Sequence, residues 1–111
     1  MNITVRKTGD VTVLDLSGAL KIGGPEVAFR DAVEHLIESG IVSLAVNLAG
    51  VTFLDSSGIG SLVRCHKAMQ ERSGKISFFA PPKRVKQTLK MVSLDKVMNL
   101  YDEEAAALAA M

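Results

Sequence analysis

One apolar run of strand length, residues 41–48, constrains the fold of this chain more than any other feature. Its residues, IVSLAVNL, are apolar at most positions without a regular polar alternation, which is typical of a central strand buried on both faces of a sheet. Apolar residues at helical spacing precede this run over 28–37, and a second helix is predicted after it over about 56–72. Strands that alternate with helices predict an α/β fold with a mainly parallel sheet.

The remaining segments complete this prediction. Four more strands are predicted, over residues 3–7, 11–17, 75–80 and 96–101. The turn dipeptide Gly9-Asp10 joins the first two, Gly18 is predicted to end the second, and Ala49-Gly50 is predicted to turn the chain. Helices are predicted from Pro25 to Gly40, over about 56–72, over about ten residues up to Met91, and from Asp102 to the end. We therefore predict one domain over residues 1–111, with a mixed, mainly parallel sheet of four to five strands, an antiparallel first strand and about four helices.

Charge and composition exclude several classes of function. The 13 basic and 12 acidic residues leave a formal net charge of +1, which attracts neither nucleic acid nor an anionic membrane strongly. No apolar run approaches the roughly 20 residues that span a bilayer. The N-terminus is polar where a secretory signal is apolar, so we expect a cytoplasmic protein. A single cysteine, Cys65, excludes an internal disulfide, and His35 and His66 stand 31 positions apart, so neither a metal site nor a cofactor is expected.

The segment with the most chemical information is Asp55-Ser56-Ser57-Gly58-Ile59-Gly60. Three good N-capping residues stand in a row where an apolar strand ends and a helix begins. Gly58 and Gly60 follow in the first turns, although glycine costs a helix up to about 1 kcal/mol relative to alanine. Such small residues indicate that another molecule approaches this backbone closely.

A helical projection of residues 56–72 divides the predicted helix into two faces. The core side is predicted to consist of Ile59, Leu62, Val63, His66, Met69 and Gln70. The outward side is predicted to consist of Ser57, Ser61, Arg64, Ala68 and Glu71. Ser57 lies in the middle of the outward stripe at the positive end of the helix, where a second protein can reach it. Arg64 follows two turns later on the same stripe, so its charge reversal is expected to weaken partner binding and barely change stability.

The run Phe53-Leu54-Asp55-Ser56-Ser57-Gly58-Ile59-Gly60 resembles the signature of the anti-sigma factor antagonists, which belong to the STAS domain family. The resemblance extends over nearly the whole chain, including Gly18-Ala19-Leu20 after the second strand, although Lys21 follows where many members have an acidic residue. It implies that Ser57 is phosphorylated by a partner that is both serine kinase and anti-sigma factor. The unmodified form would bind this partner and free a sigma factor, phosphorylation would release the partner, and a serine phosphatase would restore the first state. The predicted partner-binding residues are Asp55, Ser56, Ser57, Gly58, Gly60, Ser61 and Arg64.

The same residues allow other interpretations. Ser57 alone would suit an ordinary capping role, and Ser56 is interpreted as a local cap and not as a second phosphorylation site. An enzyme that uses Ser57 as nucleophile needs a nearby base, yet His66 is predicted on the opposite face and about 14 Å further along the helix. The sequence contains neither a Gly-x-Ser-x-Gly elbow nor a P-loop, so no enzymatic activity is predicted. The alternative function is that of a STAS subunit in a stress-signalling scaffold or beside a membrane transporter.

Overall fold

A computed structural model describes residues 1–111, which form a five-stranded sheet flanked by helices on both faces. The strands are β1 (Asn2–Thr8), β2 (Val11–Leu20), β3 (Ser43–Leu54), β4 (Lys75–Phe79) and β5 (Leu100–Tyr101). They stand in chain order across the sheet, β1 antiparallel to β2 and every later pair parallel. The predicted mixed, mainly parallel sheet with an antiparallel first strand is confirmed.

Four helices connect or follow these strands, as predicted. They are α1 (Gly24–Glu38), α2 (Ser56–Glu71), α3 (Lys83–Met91) and α4 (Glu104–Ala109), with a short 3-10 turn at Leu94–Lys96. Pro25 lies in the first turn of α1, and Gly40, with φ +90°, follows its end in the left-handed region that glycine favours. None of the helices combines the length and the apolar character that a membrane span requires.

Two hydrophobic cores hold the helices to the sheet. The larger one joins α1, α2 and α3 to one face and includes Phe29, Leu62, Met69, Phe78 and Leu89. The smaller one places Ala107 of α4 on the other face, against Val13, Ala45 and Phe79. Strand β3 supplies Leu44 and Val46 to the first core and Ala45 to the second, and all three are fully buried. Its burial on both faces explains why residues 41–48 lack polar alternation.

Strands β2 and β3 are longer than the sequence predicts. The predicted end at Gly18 and the predicted turn at Ala49-Gly50 are both wrong, because the two strands continue side by side until Leu20 pairs with Leu54. Their register shifts between Asp15 and Ser17 and again after Gly18, as in a β-bulge. A Cβ on Gly50 would lie 2.6 Å from the Leu16 carbonyl oxygen, so this glycine permits close strand contact and does not make a turn.

The fifth strand is shorter than predicted. Residues 94–96 form the 3-10 turn, and only Leu100 and Tyr101 pair with β4. The functional consequence of the topology lies at the carboxyl ends of the two inner strands β2 and β3. Because β2 and β3 are parallel and end as a pair, the starts of α1 and α2 emerge together beyond Leu20 and Leu54.

Candidate functional site

Asp55 holds the start of α2 in place. It is the N-cap residue, and its Oδ1 atom accepts a hydrogen bond from the Gly58 N–H at 2.8 Å. Its Oδ2 atom accepts a second hydrogen bond, at 2.9 Å, from the N–H of Ile22 in the segment that leads into α1. These bonds from Ile22 and Gly58 lower the pKa of the Asp55 carboxyl below its usual value, because they stabilise the ionised form. The expected capping role is confirmed, and the same carboxylate joins the starts of both helices.

Gly58 is small for an internal reason. It is buried, and a Cβ built on it would overlap the carbonyl oxygen of Leu20 at the end of β2. The inference that its smallness serves an approaching partner is therefore wrong, since the end of a neighbouring strand occupies that space. Gly60 differs, because its added Cβ would meet only Arg64 Nη1, at 3.4 Å. Of the two glycines, only Gly60 leaves accessible backbone.

The two serines of the motif occupy the first turn of α2, directly after Asp55. Ser56 is exposed and Ser57 is half-buried. The first N–H groups of a helix have no partners within the helix, so this turn can receive an anion. His66 lies on the core side as predicted, where it is 4% exposed and its ring centroid stands 6.4 Å from that of Phe78. Burial lowers the pKa of His66, which favours its neutral form.

The outward placement of Ser61 is wrong. Ser61 is 4% exposed and Cys65 3%, whereas Gln70, predicted on the core side, is exposed. The cause is that α2 packs against the sheet on one side and against α1 on another, so its buried surface is wider than one apolar stripe. Ser61 is thereby removed from any partner surface.

The side chains between α1 and α2 form an ionic cluster around Glu26. The Glu26 side chain is only 11% exposed, and its Oε1 atom accepts hydrogen bonds from Arg64 Nη2 at 2.9 Å and Ser61 Oγ at 3.2 Å. Arg30 Nη1 stands 3.7 Å from the same oxygen. Arg64 is 59% exposed as predicted, yet its guanidinium is paired and not free in solvent. Sequence reasoning missed Glu26. The only local feature that marks it is its position directly after Pro25, in the first turn of α1.

Exposed apolar side chains stand at the same edge of the sheet. Ile22 is 72% exposed, Phe53 47% and Val27 40%. Ile22 is bonded to Asp55 through its backbone, Phe53 is the penultimate residue of β3, and Val27 lies in the first turn of α1. Sequence reasoning missed Ile22 and Val27, because an apolar residue beside a helix start is ordinarily assigned to a core.

A groove between α1 and α2 adjoins this site. Its volume is about 120 Å³, and its apolar lining includes Phe29, Val33 and Cys65. Burial raises the pKa of the Cys65 thiol to about 12, which leaves it protonated and unreactive. No cluster of three or more His, Cys, Asp or Glu side chains that would hold a metal ion is present.

The chain resembles known proteins over almost its whole length. The model of the STAS domain family matches residues 2–107. The anti-sigma-B factor antagonist of Listeria monocytogenes is 27% identical over 109 residues, 94% of this chain and 93% of that protein. The crystal structure of an anti-sigma factor antagonist from Mycobacterium paratuberculosis has a TM-score of 0.84 at 24% identity, over 98% of this chain and 92% of that one. The phosphorylated Bacillus cell fate determinant SpoIIAA has a TM-score of 0.74 at 18% identity, over 98% of each chain.

Proposed function

This chain belongs to the STAS domain family, and we propose that it is an anti-sigma factor antagonist that acts in the cytoplasm by partner switching. The unmodified form binds an anti-sigma factor that has serine kinase activity, and this binding frees a sigma factor for transcription. Phosphorylation on Ser57 releases the partner, and a serine phosphatase restores the binding form. The protein regulates by binding, without catalysis of its own and without direct contact with nucleic acid. The Listeria relative, an anti-sigma-B factor antagonist, supports the first step.

The placement of Ser57 is the observation that carries the proposal. Its hydroxyl stands in the first turn of a 16-residue helix, next to an Asp55 carboxylate whose two oxygens are already hydrogen-bonded. The exposed side chains of Ile22 and Phe53 lie at the same edge and offer apolar surface to a partner. We define the partner surface as Ile22, Val27, Phe53, Asp55, Ser56, Ser57, Gly60 and Arg64. Ser61 and Gly58, predicted in the same role, are buried and do not belong to it.

Phosphorylation changes the charge of this surface more than its shape. The Ser57 hydroxyl oxygen bonds to the γ-phosphorus of ATP, the bond between that phosphorus and ADP breaks, and the hydroxyl proton passes to a base of the kinase. The phosphate adds about −1.5 to −2 charges at neutral pH. The helix start stabilises such an anion by roughly 0.3–1 kcal/mol. In a complex, the same charge would lie beside the Asp55 carboxylate and the apolar side chains, where repulsion and desolvation oppose binding.

The proposal is tested by incubating the protein with its cognate anti-sigma factor kinase and ATP. We expect one phosphate, located on Ser57 by peptide mass spectrometry. Ser57→Ala should abolish the modification and keep kinase binding, because the hydroxyl contributes little to an apolar contact surface. Ser56→Ala is the matched control and should be phosphorylated like the natural protein. Phosphate on Ser56 alone, or capture of a transporter ATPase or a scaffold protein in place of an anti-sigma factor, would contradict the proposal.

A further inference from the structure

Arg64 extends back along α2 toward the first turn of its own helix. Its Nη2 atom donates to Ser61 Oγ at 3.2 Å, and Ser61 Oγ lies 3.1 Å from the carbonyl oxygen of Ser57. Its Nη1 atom lies beside Gly60, 3.4 Å from the position that a Cβ on this glycine would take. Only the Ser61 hydroxyl therefore separates the guanidinium from the backbone of Ser57. The side chains of Ser57 and Arg64, seven residues apart, also lie on one stripe of the helix.

Glu26, the partner of Arg64 in this structure, has a second cation, Arg30, close to it. Arg30 Nη1 stands 3.7 Å from the Oε1 atom that Arg64 binds at 2.9 Å, so it is close but not yet hydrogen-bonded. Ser61 Oγ lies 3.2 Å from the same oxygen. A nearly buried carboxylate that loses its only cation is strongly destabilised, but Glu26 would keep Arg30 and Ser61. Arg64 is thus able to leave Glu26 without isolating a buried charge.

We propose that Arg64 exchanges partners when Ser57 is phosphorylated, leaving Glu26 for the phosphate. The proposal rests on the proposed function only in that Ser57 carries a phosphate. A phosphoserine offers three acceptor oxygens and up to two negative charges, against one charge on Glu26, and a guanidinium matches phosphate geometry with paired donors. The Asp55 carboxylate accepts from the Gly58 and Ile22 N–H groups, and Arg64 pairs with Glu26 and not with Asp55.

The exchange would extend the effect of the modification from α2 to α1. The hydrogen bond between Arg64 and Glu26 joins the two helices directly beside Val27, which belongs to the partner surface. When Arg64 moves to the phosphate, this bond is lost and Arg30 approaches Glu26 within α1. One phosphate would thus change the charge at Ser57 and the side-chain arrangement at the start of α1.

The test uses full-length protein with phosphoserine incorporated at position 57 during translation, so that no kinase is needed. A ³¹P NMR titration measures the second pKa of the phosphate, which is about 6 for a free phosphoserine. Contact with Arg64 favours the dianion, so we expect this pKa to be lower in the natural sequence than in Arg64→Gln by about 0.5, the size expected of a partly exposed ion pair. Lys67→Gln, which removes an exposed cation of the same helix outside the cluster, is the matched control and should leave the pKa at its natural value. Equal values with and without Arg64 would overturn the proposal.

A second measurement needs no substitution in the cluster. The ¹H–¹⁵N signal of Arg64 Nε should move when phosphoserine replaces Ser57, because the guanidinium changes from a carboxylate to a phosphate partner. An unmoved signal overturns the exchange even if Arg64→Gln does not fold. Failure of the cognate kinase to modify Ser57 would instead contradict the proposed function and leave both of these measurements unaffected.

Discussion

Gly58 and Gly60 are two residues apart in the sequence, yet their surroundings differ completely. Gly58 faces inward onto the end of β2, where a Cβ would overlap the Leu20 carbonyl oxygen. Gly60 faces the flexible end of the Arg64 side chain, 3.4 Å from the position of an added Cβ. Asp55 fixes this arrangement, because it hydrogen-bonds Gly58 and Ile22 at once. At the scale of single residues, the start of α2 is therefore determined by its contacts with Leu20 and Ile22.

The two glycines allow a matched test of this difference. Gly58→Ala should lower the free energy of unfolding by about 1–3 kcal/mol, because the backbone must shift to relieve the overlap. Gly60→Ala should leave it unchanged or raise it by up to about 1 kcal/mol, because alanine is the better helix former and only a side-chain end must move. Urea denaturation of both variants measures these changes. Equal effects of the two substitutions would show that the packing of α2 on Leu20 is wrong.

At the scale of elements, α2 is a helix packed on two sides. Its apolar residues face the sheet, and Ser61, Cys65 and Arg64 face α1. Glu26 of α1 accepts hydrogen bonds from Ser61 and Arg64. The polar contact between the helices consists of one nearly buried carboxylate and its donors. Charge reversal at Arg64 is therefore expected to lower stability, contrary to the expectation from the sequence.

Arg64→Glu should lower the free energy of unfolding by about 1–2 kcal/mol, because it removes the closest cation from Glu26 and adds a like charge. Arg64→Gln, which removes the cation without adding a charge, should cost less. In the double variant Glu26→Gln with Arg64→Glu, the repulsion is absent, so the loss should be smaller than the sum of the single losses. Thermal and urea unfolding of the natural protein, Glu26→Gln, Arg64→Glu and the double variant measure this coupling. Strictly additive losses would contradict the Arg64–Glu26 contact.

At the scale of the whole molecule, the partner surface stands outside a closely packed core. The larger core contains 19 buried residues, and a core packed this closely does not deform continuously in response to a small local change. On the other face of the sheet, Arg6 binds Asp15 at 2.8 Å and Glu104 at 2.6 Å, which holds α4 to β1 and β2. A phosphate on Ser57 touches neither of these regions.

Phosphorylation should consequently leave the backbone in place, with displacements well under the roughly 2 Å of a true rearrangement. Amide chemical shifts of the two forms measure this. We expect changes near residues 55–64 and, through Glu26, at the start of α1, while Arg6, Asp15 and Glu104 serve as unaffected reporters. Ser57→Asp should reproduce the loss of partner binding only in part, because a carboxylate has about half the charge and fewer acceptors. Widespread shifts in β3 and β4 would contradict a local charge switch.

The sequence by itself determined what depends on neighbouring residues. The apolar run at 41–48 predicted a strand buried on both faces, helical spacing predicted α1 and α2, and Asp55 predicted the start of α2. The family resemblance of the Phe53–Gly60 run is likewise a property of contiguous residues, and the match over residues 2–107 confirms it. Capping, periodicity and burial of a central strand are local or nearly local effects, so one chain carries enough information to predict them.

The tertiary structure alone decided which residues of α2 remain accessible. Ser61 is buried against Glu26 of α1, 35 positions earlier in the chain. Gly58 is buried against Leu20, 38 positions earlier. Glu26 pairs with Arg64, which lies 38 positions later in the chain. No pattern within a single helix reveals these contacts, because they depend on how two parallel strands end together and bring separate helix starts to one edge of the sheet.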